Sequence, residues 1–240
     1  MSRSTLNNRV ALITGGSRGI GRAIVEALSN DGVKVVACSK TGLGFANNFP
    51  NLIFKKCDVR CYSSVVELVD FTANIFGGVD ILINNAGVVH RGGVEDLTID
   101  QWNEVISTNL SGAFYFSKAV MPHLRVRGGG HIINMSSRSA VAGFSGGAAY
   151  NASKFGLNGF SEALFLDAAP QNIKVTTIMP GRVATDFGDE RPDTWQISPE
   201  DVANVVVESL LVGAAAAITK VEIRPLVKYA ERDDRHHAKE

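Results

Sequence analysis

Residues 9–21 read Arg9-Val10-Ala11-Leu12-Ile13-Thr14-Gly15-Gly16-Ser17-Arg18-Gly19-Ile20-Gly21. The first five form a short apolar run, the pattern of a strand buried on both faces of a parallel sheet. Glycines then make a tight turn, and Ile20, Ile24, Val25 and Leu28 recur at helical spacing on one stripe. In a strand, Gly-rich turn and helix, backbone N–H groups can close on a pyrophosphate while the helix N-terminus favours its negative charge. The spacing here is TGxxxGxG rather than GxGxxG. A Gly-rich turn alone also serves as a plain strand-to-helix connection, so the rest of the chain decides.

Outward from this stretch the pattern repeats. Short apolar runs at Val33–Cys38, Leu52–Cys57, Val79–Ile83, His131–Met135, Ile173–Ile178 and Ile218–Leu226 read as strands two to seven. Between them helical spacing covers Ser63–Phe76, with Ser63 the better N-cap than Asp58, and Ile99–Phe116. It also covers a segment ending near Ala168 and one from Ser198 to about Leu211, with Ala214–Ala217 as an extension. Thr41–Asn51 is too rich in Gly and Asn for a full crossover helix, and Arg182–Pro199 is irregular and polar. Strands alternating with helices predict an α/β fold, a Rossmann-type doubly wound parallel sheet of seven strands.

The 240 residues suit one domain, with a folded core over 9–226 and a charged tail over 227–240. Lys+Arg and Asp+Glu are both 24, which points away from a nucleic-acid partner and from a polybasic membrane contact. No apolar run is long enough for a membrane span, and Met1–Arg9 has no signal core, so a cytoplasmic protein is expected. Cys38, Cys57 and Cys61 lack zinc spacing and are expected as reduced, mostly buried thiols. His236 and His237 in the tail read as solvated, and no metal site is expected.

The chemistry lies at strand ends. Tyr150 and Lys154 are four apart on a helix, hence on one face. A phenol ionises near pH 10, and a neighbouring ammonium lowers that value, making a proton donor and acceptor usable near neutrality. The bland reading is an ordinary surface pair. Ser137, just after the fifth strand, would hold a substrate oxygen beside the phenol. Asn109 interrupts an apolar helix and needs a partner: either a neighbouring carbonyl or a water in a proton relay. After the second strand stand Ser39 and Lys40, where an acid would mark NAD. With Arg18 they form a cationic set that favours a 2′-phosphate, hence NADP(H). Asp58 and Val59 follow the third strand, and Asp58 would accept from an adenine amino group. Asn84-Asn85-Ala86-Gly87 ends the fourth strand with residues small enough for a flat cofactor. Phe144, Phe187, Trp195, His90 and Arg91 are candidate pocket borders.

Collected in order, these motifs resemble the short-chain dehydrogenase/reductase family over nearly the whole chain. The carriers are Thr14–Gly21, Asp58-Val59, Asn84–Gly87, Asn109, Ser137, Tyr150-x3-Lys154 and Pro180-Gly181 with Thr185. The chain most resembles NADP(H)-dependent 3-oxoacyl-carrier-protein-reductase-like and carbonyl-reductase-like members. The resemblance implies that Tyr150 protonates the substrate oxygen and that Ser137 orients it. Lys154 would bind the nicotinamide ribose and lower the Tyr150 pKa, and Asn109 would hold a water linking Lys154 to solvent. It further implies cofactor contacts at Gly15, Ser17, Arg18, Gly19, Ile20, Gly21, Ser39, Lys40, Asp58, Val59, Asn85, Ala86 and Gly87, and at Pro180, Gly181, Val183 and Thr185 on the carboxamide side.

Two departures stand out. The segment between strands two and three is short, and the C-terminal Ile218–Pro225 lacks the Val-Asp-Gly-Gly stretch common in acyl-carrier-protein reductases, which counts against the fatty-acid-synthesis role. The expectation is therefore reversible reduction of a ketone, aldehyde or 3-oxoacyl carbonyl with NADP(H), by a homodimer or homotetramer acting on a small molecule. The rivals are an NAD-dependent alcohol dehydrogenase and a non-catalytic nucleotide-binding sensor or scaffold.

Overall fold

The computed structural model describes residues 3–42, 48–188 and 192–226. The tail at 227–240 with His236 and His237, part of the segment after the second strand, and residues 189–191 lie outside them. Seven strands form one sheet: β1 (Val10–Thr14), β2 (Lys34–Ser39), β3 (Leu52–Lys56), β4 (Ile81–Asn84), β5 (Gly130–Met135), β6 (Ile173–Pro180) and β7 (Lys220–Ile223). Their order is β3-β2-β1-β4-β5-β6-β7, and every pairing is parallel. The order reverses between β1 and β4, and the two chain directions leave a crevice there at the strands' carboxyl ends.

Six helices cover the faces: α1 (Gly19–Asn30), α2 (Tyr62–Phe76), α3 (Ile99–Ile106), α4 (Gly112–Val126), α5 (Ala148–Ala168) and α6 (Pro199–Leu210). Alternation along β1 sends Ala11 and Ile13 into a core with α1 and α6, while Leu12 joins a second core with α2, α4 and α5. The sheet is thus buried on both sides, which is why its strands read as continuous apolar runs.

Several boundaries depart from the sequence reading. Ile99–Phe116 is not one helix: α3 passes through a π-helical turn, Ser107–Ser111, into α4, which runs on to Val126. Ser63 lies inside α2, and Cys61 occupies the N-cap position, because a turn closed by Cys61 N–H on the Asp58 carbonyl sets the helix start. Ala214–Ala217 does not extend α6, whose last turn ends at Leu211. The seventh strand shrinks to Lys220–Ile223, since only these residues pair with β6.

At the amino ends of the central strands Asp80 and Arg127 tie β1 to the end of α4. The Asp80 carboxylate accepts from the Val10 N–H at 2.8 Å and from Arg127 Nε at 2.9 Å. A buried polar chain also crosses the sheet: Asn84 Nδ2 donates to Asn134 Oδ1 at 2.8 Å, and Asn134 Nδ2 to Ser161 Oγ at 2.8 Å. These bonds fix β4, β5 and α5 in register beneath the crevice.

Candidate active site

The crevice is a cleft of about 1180 Å³. The residues expected to act in catalysis or to touch the cofactor line it, except Asn109. The glycine turn closes its floor. Gly15 has φ +67°, and a Cβ there would stand 2.8 Å from the Ala86 Cα. A Cβ on Gly21 would meet the Gly15 carbonyl oxygen at 2.1 Å. Only glycine permits this approach. Arg18 precedes α1 with an extended backbone and makes no side-chain cap, so the leading N–H groups of Gly19, Ile20 and Gly21 belong to the cleft wall. This uncapped helix start is an anion cradle and fits a pyrophosphate.

The fourth-strand motif shapes that turn. Thr14 Oγ1 accepts from the N–H groups of Asn85 at 2.9 Å and Ala86 at 3.0 Å. Asn85 Nδ2 in turn donates to the carbonyls of Thr14 and Gly15. Its amide is therefore spent on the glycine turn, with the backbone of Asn85–Gly87 left along the cleft. On the opposite wall Gly181 N–H donates to the Ile223 carbonyl at 2.7 Å, and Val183 bridges Ile197. Thr185 packs on Gly19, 3.1 Å from where a Cβ would sit.

At the adenosine end Ser39 is buried, its hydroxyl bonded within the Gly42 turn, while Lys40 and Arg18 are exposed. Asp58 is not an open acceptor. Arg60 forks onto it, Nε to Oδ1 at 2.9 Å and Nη2 to Oδ2 at 2.6 Å, and this pairing holds the Asp58 carboxyl below the usual carboxylate range. Arg60 also reaches Glu104 at 3.5 Å, and the Glu104 carboxylate accepts from His90 Nε2 at 2.9 Å. His90 thus turns to Glu104 and does not border the cleft, whereas Phe144, Phe187, Trp195 and Arg91 do.

Ser137, Tyr150 and Lys154 converge where β5 meets α5. Ser137 follows β5 in extended backbone and accepts the Ser139 N–H at 3.1 Å. Tyr150 sits between the rings of Phe144 and Phe187, with centroids 6.2 and 6.0 Å away. Part of its ring faces the cleft, yet the protein packed around it desolvates the phenol and pushes its pKa above the ordinary value. A hydrogen bond with Ser137 and the charge of Arg91 pull the other way. The expected lowering by Lys154 is not found. Lys154 is buried and donates to the Met135 carbonyl at 2.8 Å, its ammonium 5.7 Å from the Tyr150 ring centre. Burial brings Lys154 down to about 8.

Asn109 lies behind this group, on the π-helical turn. Its Oδ1 accepts the Val88 N–H at 2.8 Å, and its Nδ2 donates to the Val88 carbonyl at 2.9 Å and to Ser153 Oγ at 3.1 Å. The Asn109 amide thus has the carbonyl partner that one of the two sequence readings asked for. A second, small cavity of about 10 Å³ adjoins Asn109, Asn84, Thr108 and Met135. Sequence reasoning missed Arg60, whose only signal was its place two residues after Asp58. It also missed the Met135 carbonyl, which has no side-chain signal at all.

The comparisons agree with this geometry. The family model described as short chain dehydrogenase matches residues 9–195. The chain belongs to the short-chain dehydrogenase family. Relatives include an uncharacterized oxidoreductase of Staphylococcus haemolyticus, 33% identical over 92% of this chain and 99% of its own. An acetoacetyl-CoA reductase of Shinella zoogloeoides is 40% identical over 75% and 76%. A 3-oxoacyl-(acyl-carrier-protein) reductase of Salmonella typhimurium is 38% identical over 76% and 77%. An alcohol dehydrogenase of the archaeon Thermococcus sibiricus, solved with 5-hydroxy-NADP, shares the fold at TM-score 0.82 and 24% identity, over 92% of this chain and 97% of that one. As a family member the chain is an oxidoreductase of the CH–OH/C=O couple that uses a nicotinamide cofactor.

Proposed function

We propose that the chain is an NADP(H)-dependent reductase of a ketone, an aldehyde or a 3-oxoacyl thioester, with Tyr150 as proton donor. The observation that carries the reading is the convergence of Ser137, Tyr150 and Lys154 on one wall of a cleft whose other end is an uncapped helix start. The bound nicotinamide would supply or accept the hydride. The protein's own part is proton and charge handling. Tyr150, protonated at pH 7 as a phenol is, gives its proton to the carbonyl oxygen. Ser137 hydrogen-bonds that oxygen and the phenol, fixing the line of transfer. Lys154, beside the phenol, holds a ribose hydroxyl. The cavity beside Asn109 has room for about one water and is lined by Met135, whose carbonyl Lys154 binds. Phe144 and Phe187 flank the phenol and receive the apolar part of the substrate.

NADP(H) over NAD(H) is supported by Arg18 and Lys40, exposed cations at the adenosine end with no acid following β2. Phe114 on α4, with Phe155 and Leu166 on α5, exposes large apolar side chains, which supports assembly of two or four copies through these helices. The acetoacetyl-CoA and 3-oxoacyl relatives favour 3-oxoacyl thioesters as first substrates to try. The test is NADPH consumption over a panel of 3-oxoacyl thioesters, ketones, diketones and aldehydes, with NADH in parallel. Turnover with NADPH at least about tenfold more efficient than with NADH is expected, a difference worth one charge-assisted contact. Activity with NADH alone would overturn the assignment of Arg18 and Lys40.

A further inference from the structure

Cys57 lines the adenosine end of the cleft, with Cys38 beside it on β2 and Cys61 four residues further along the chain. Cys38 ends β2 and Cys57 follows β3, both buried; Cys61 is exposed. Cys57 N–H donates to the Ser39 carbonyl at 3.0 Å, which sets Cys57 beside the end of β2. Its Sγ lies 3.6 Å from the Ser64 carbonyl oxygen, and Cys61 Sγ lies 3.3 Å from Ser63 Oγ. Both sulfurs therefore rest against the first turn of α2, a 15-residue helix whose N-cap position is Cys61. A helix start favours an anion, and exposure gives reagents access, the two conditions of a reactive thiol. Between the two cysteines stand only Asp58, Val59 and Arg60, which line the cleft and carry the Asp58–Arg60 fork.

We infer that Cys61 and Cys57 are a thiol pair that a hydroperoxide oxidises to a disulfide, and that this bond weakens dinucleotide binding. The consequence for binding rests on the cofactor reading above; the oxidation does not. In the first step the Cys61 thiolate attacks the O–O bond. A sulfur–oxygen bond forms, the O–O bond breaks, and the alkoxide or hydroxide leaves and takes a proton. In the second step the Cys57 thiolate attacks the sulfenic sulfur, and water leaves. Two thiols lose two electrons and two protons, and the peroxide is reduced to an alcohol, or to water if it is hydrogen peroxide, with a further water released. The Ser63 and Ser64 hydroxyls bring the Cys61 thiol down to about 7. A hydrogen bond from Cys38 lowers the Cys57 thiol and holds that of Cys38 up. Joining Cys57 to Cys61 requires the intervening turn to move, and the Arg60 fork on Asp58 moves with it.

The experiment exposes the reduced full chain to stepwise hydrogen peroxide, maps its peptides by mass, and titrates NADPH by fluorescence. The expected result is a Cys57–Cys61 peptide lighter by two hydrogens. An NADPH Kd raised about tenfold or more and restored by dithiothreitol should accompany it. Cys61→Ser should show the untreated turnover and an unchanged Kd after peroxide. Cys57→Ala should leave Cys61 as a sulfenic acid trapped by dimedone. A Cys38–Cys57 bond, an unmodified Cys61, or a mapped Cys57–Cys61 bond with unchanged Kd would overturn the inference. If reduced protein fails to bind NADP(H), the cofactor reading fails, and peptide mapping still decides the disulfide.

Discussion

His131, the second residue of β5, is a buried imidazole, its Nε2 2.7 Å from Thr176 Oγ1. Burial, with smaller repulsion from Lys174 and Arg9, brings it down to about 3. The unfolded chain binds this proton below about pH 6.5 and the folded chain does not. The stability it contributes is therefore whole above pH 6.5 and drains as pH falls toward 3, by up to about 1.4 kcal/mol per pH unit. His131→Gln should flatten the curve of unfolding free energy between pH 6 and about 4, measured by urea denaturation; an unchanged slope would contradict its neutral burial. Lys154 works in the alkaline range. Its folded value of about 8 lies below the ordinary 10.5, so only the unfolded state is protonated between them and stability rises with pH there. Wild type should thus gain on Lys154→Met as pH goes from about 8 to about 10; parallel curves would refute the shift. Neither value was visible in the sequence, because burial and the Met135 carbonyl belong to the tertiary fold. The positions themselves were visible, since Tyr150 and Lys154 at helical spacing after a strand are legible one by one.

At the scale of elements, the π-helical turn between α3 and α4 is what aims Asn109. Its amide joins the loop after β4, through Val88, to α5, through Ser153, one residue before Lys154. Asn109→Ala leaves the part-buried Val88 N–H and carbonyl without this partner. It should cost about 2–4 kcal/mol by urea midpoint and lower kcat more than it raises KM. Unchanged stability would refute the tie. The apolar stripe through Trp102, Val105, Ile106 and Leu110 read as one unbroken helix, because a π turn inserts a residue without altering composition. The start of α2 was misplaced for a related reason. Propensity favours Ser63 as a cap, but the turn from Asp58 to Cys61 fixes the chain's entry and overrides it.

For the whole molecule, seven parallel strands flanked by helices follow from apolar runs that alternate with helical ones, and this much the sequence showed; the strand order it did not. Of assembly it offered only the apolar helices around Asn109 and Tyr150. Phe114 and Phe160 pack edge to face, centroids 5.9 Å apart, leaving Phe114 open to solvent. Phe155→Glu combined with Leu166→Glu should shift light-scattering mass from dimer or tetramer to monomer; a wild type that is monomeric at micromolar concentration would contradict assembly through this face. The central claim concerns the phenol at the heart of the cleft, and one comparison tests it most directly. With the best carbonyl substrate and saturating NADPH, Tyr150→Phe should lose about 10²–10⁴-fold in kcat while its NADPH Kd, from calorimetry, stays within about threefold. Turnover near that of wild type, with cofactor still bound, would show that Tyr150 does not supply the proton.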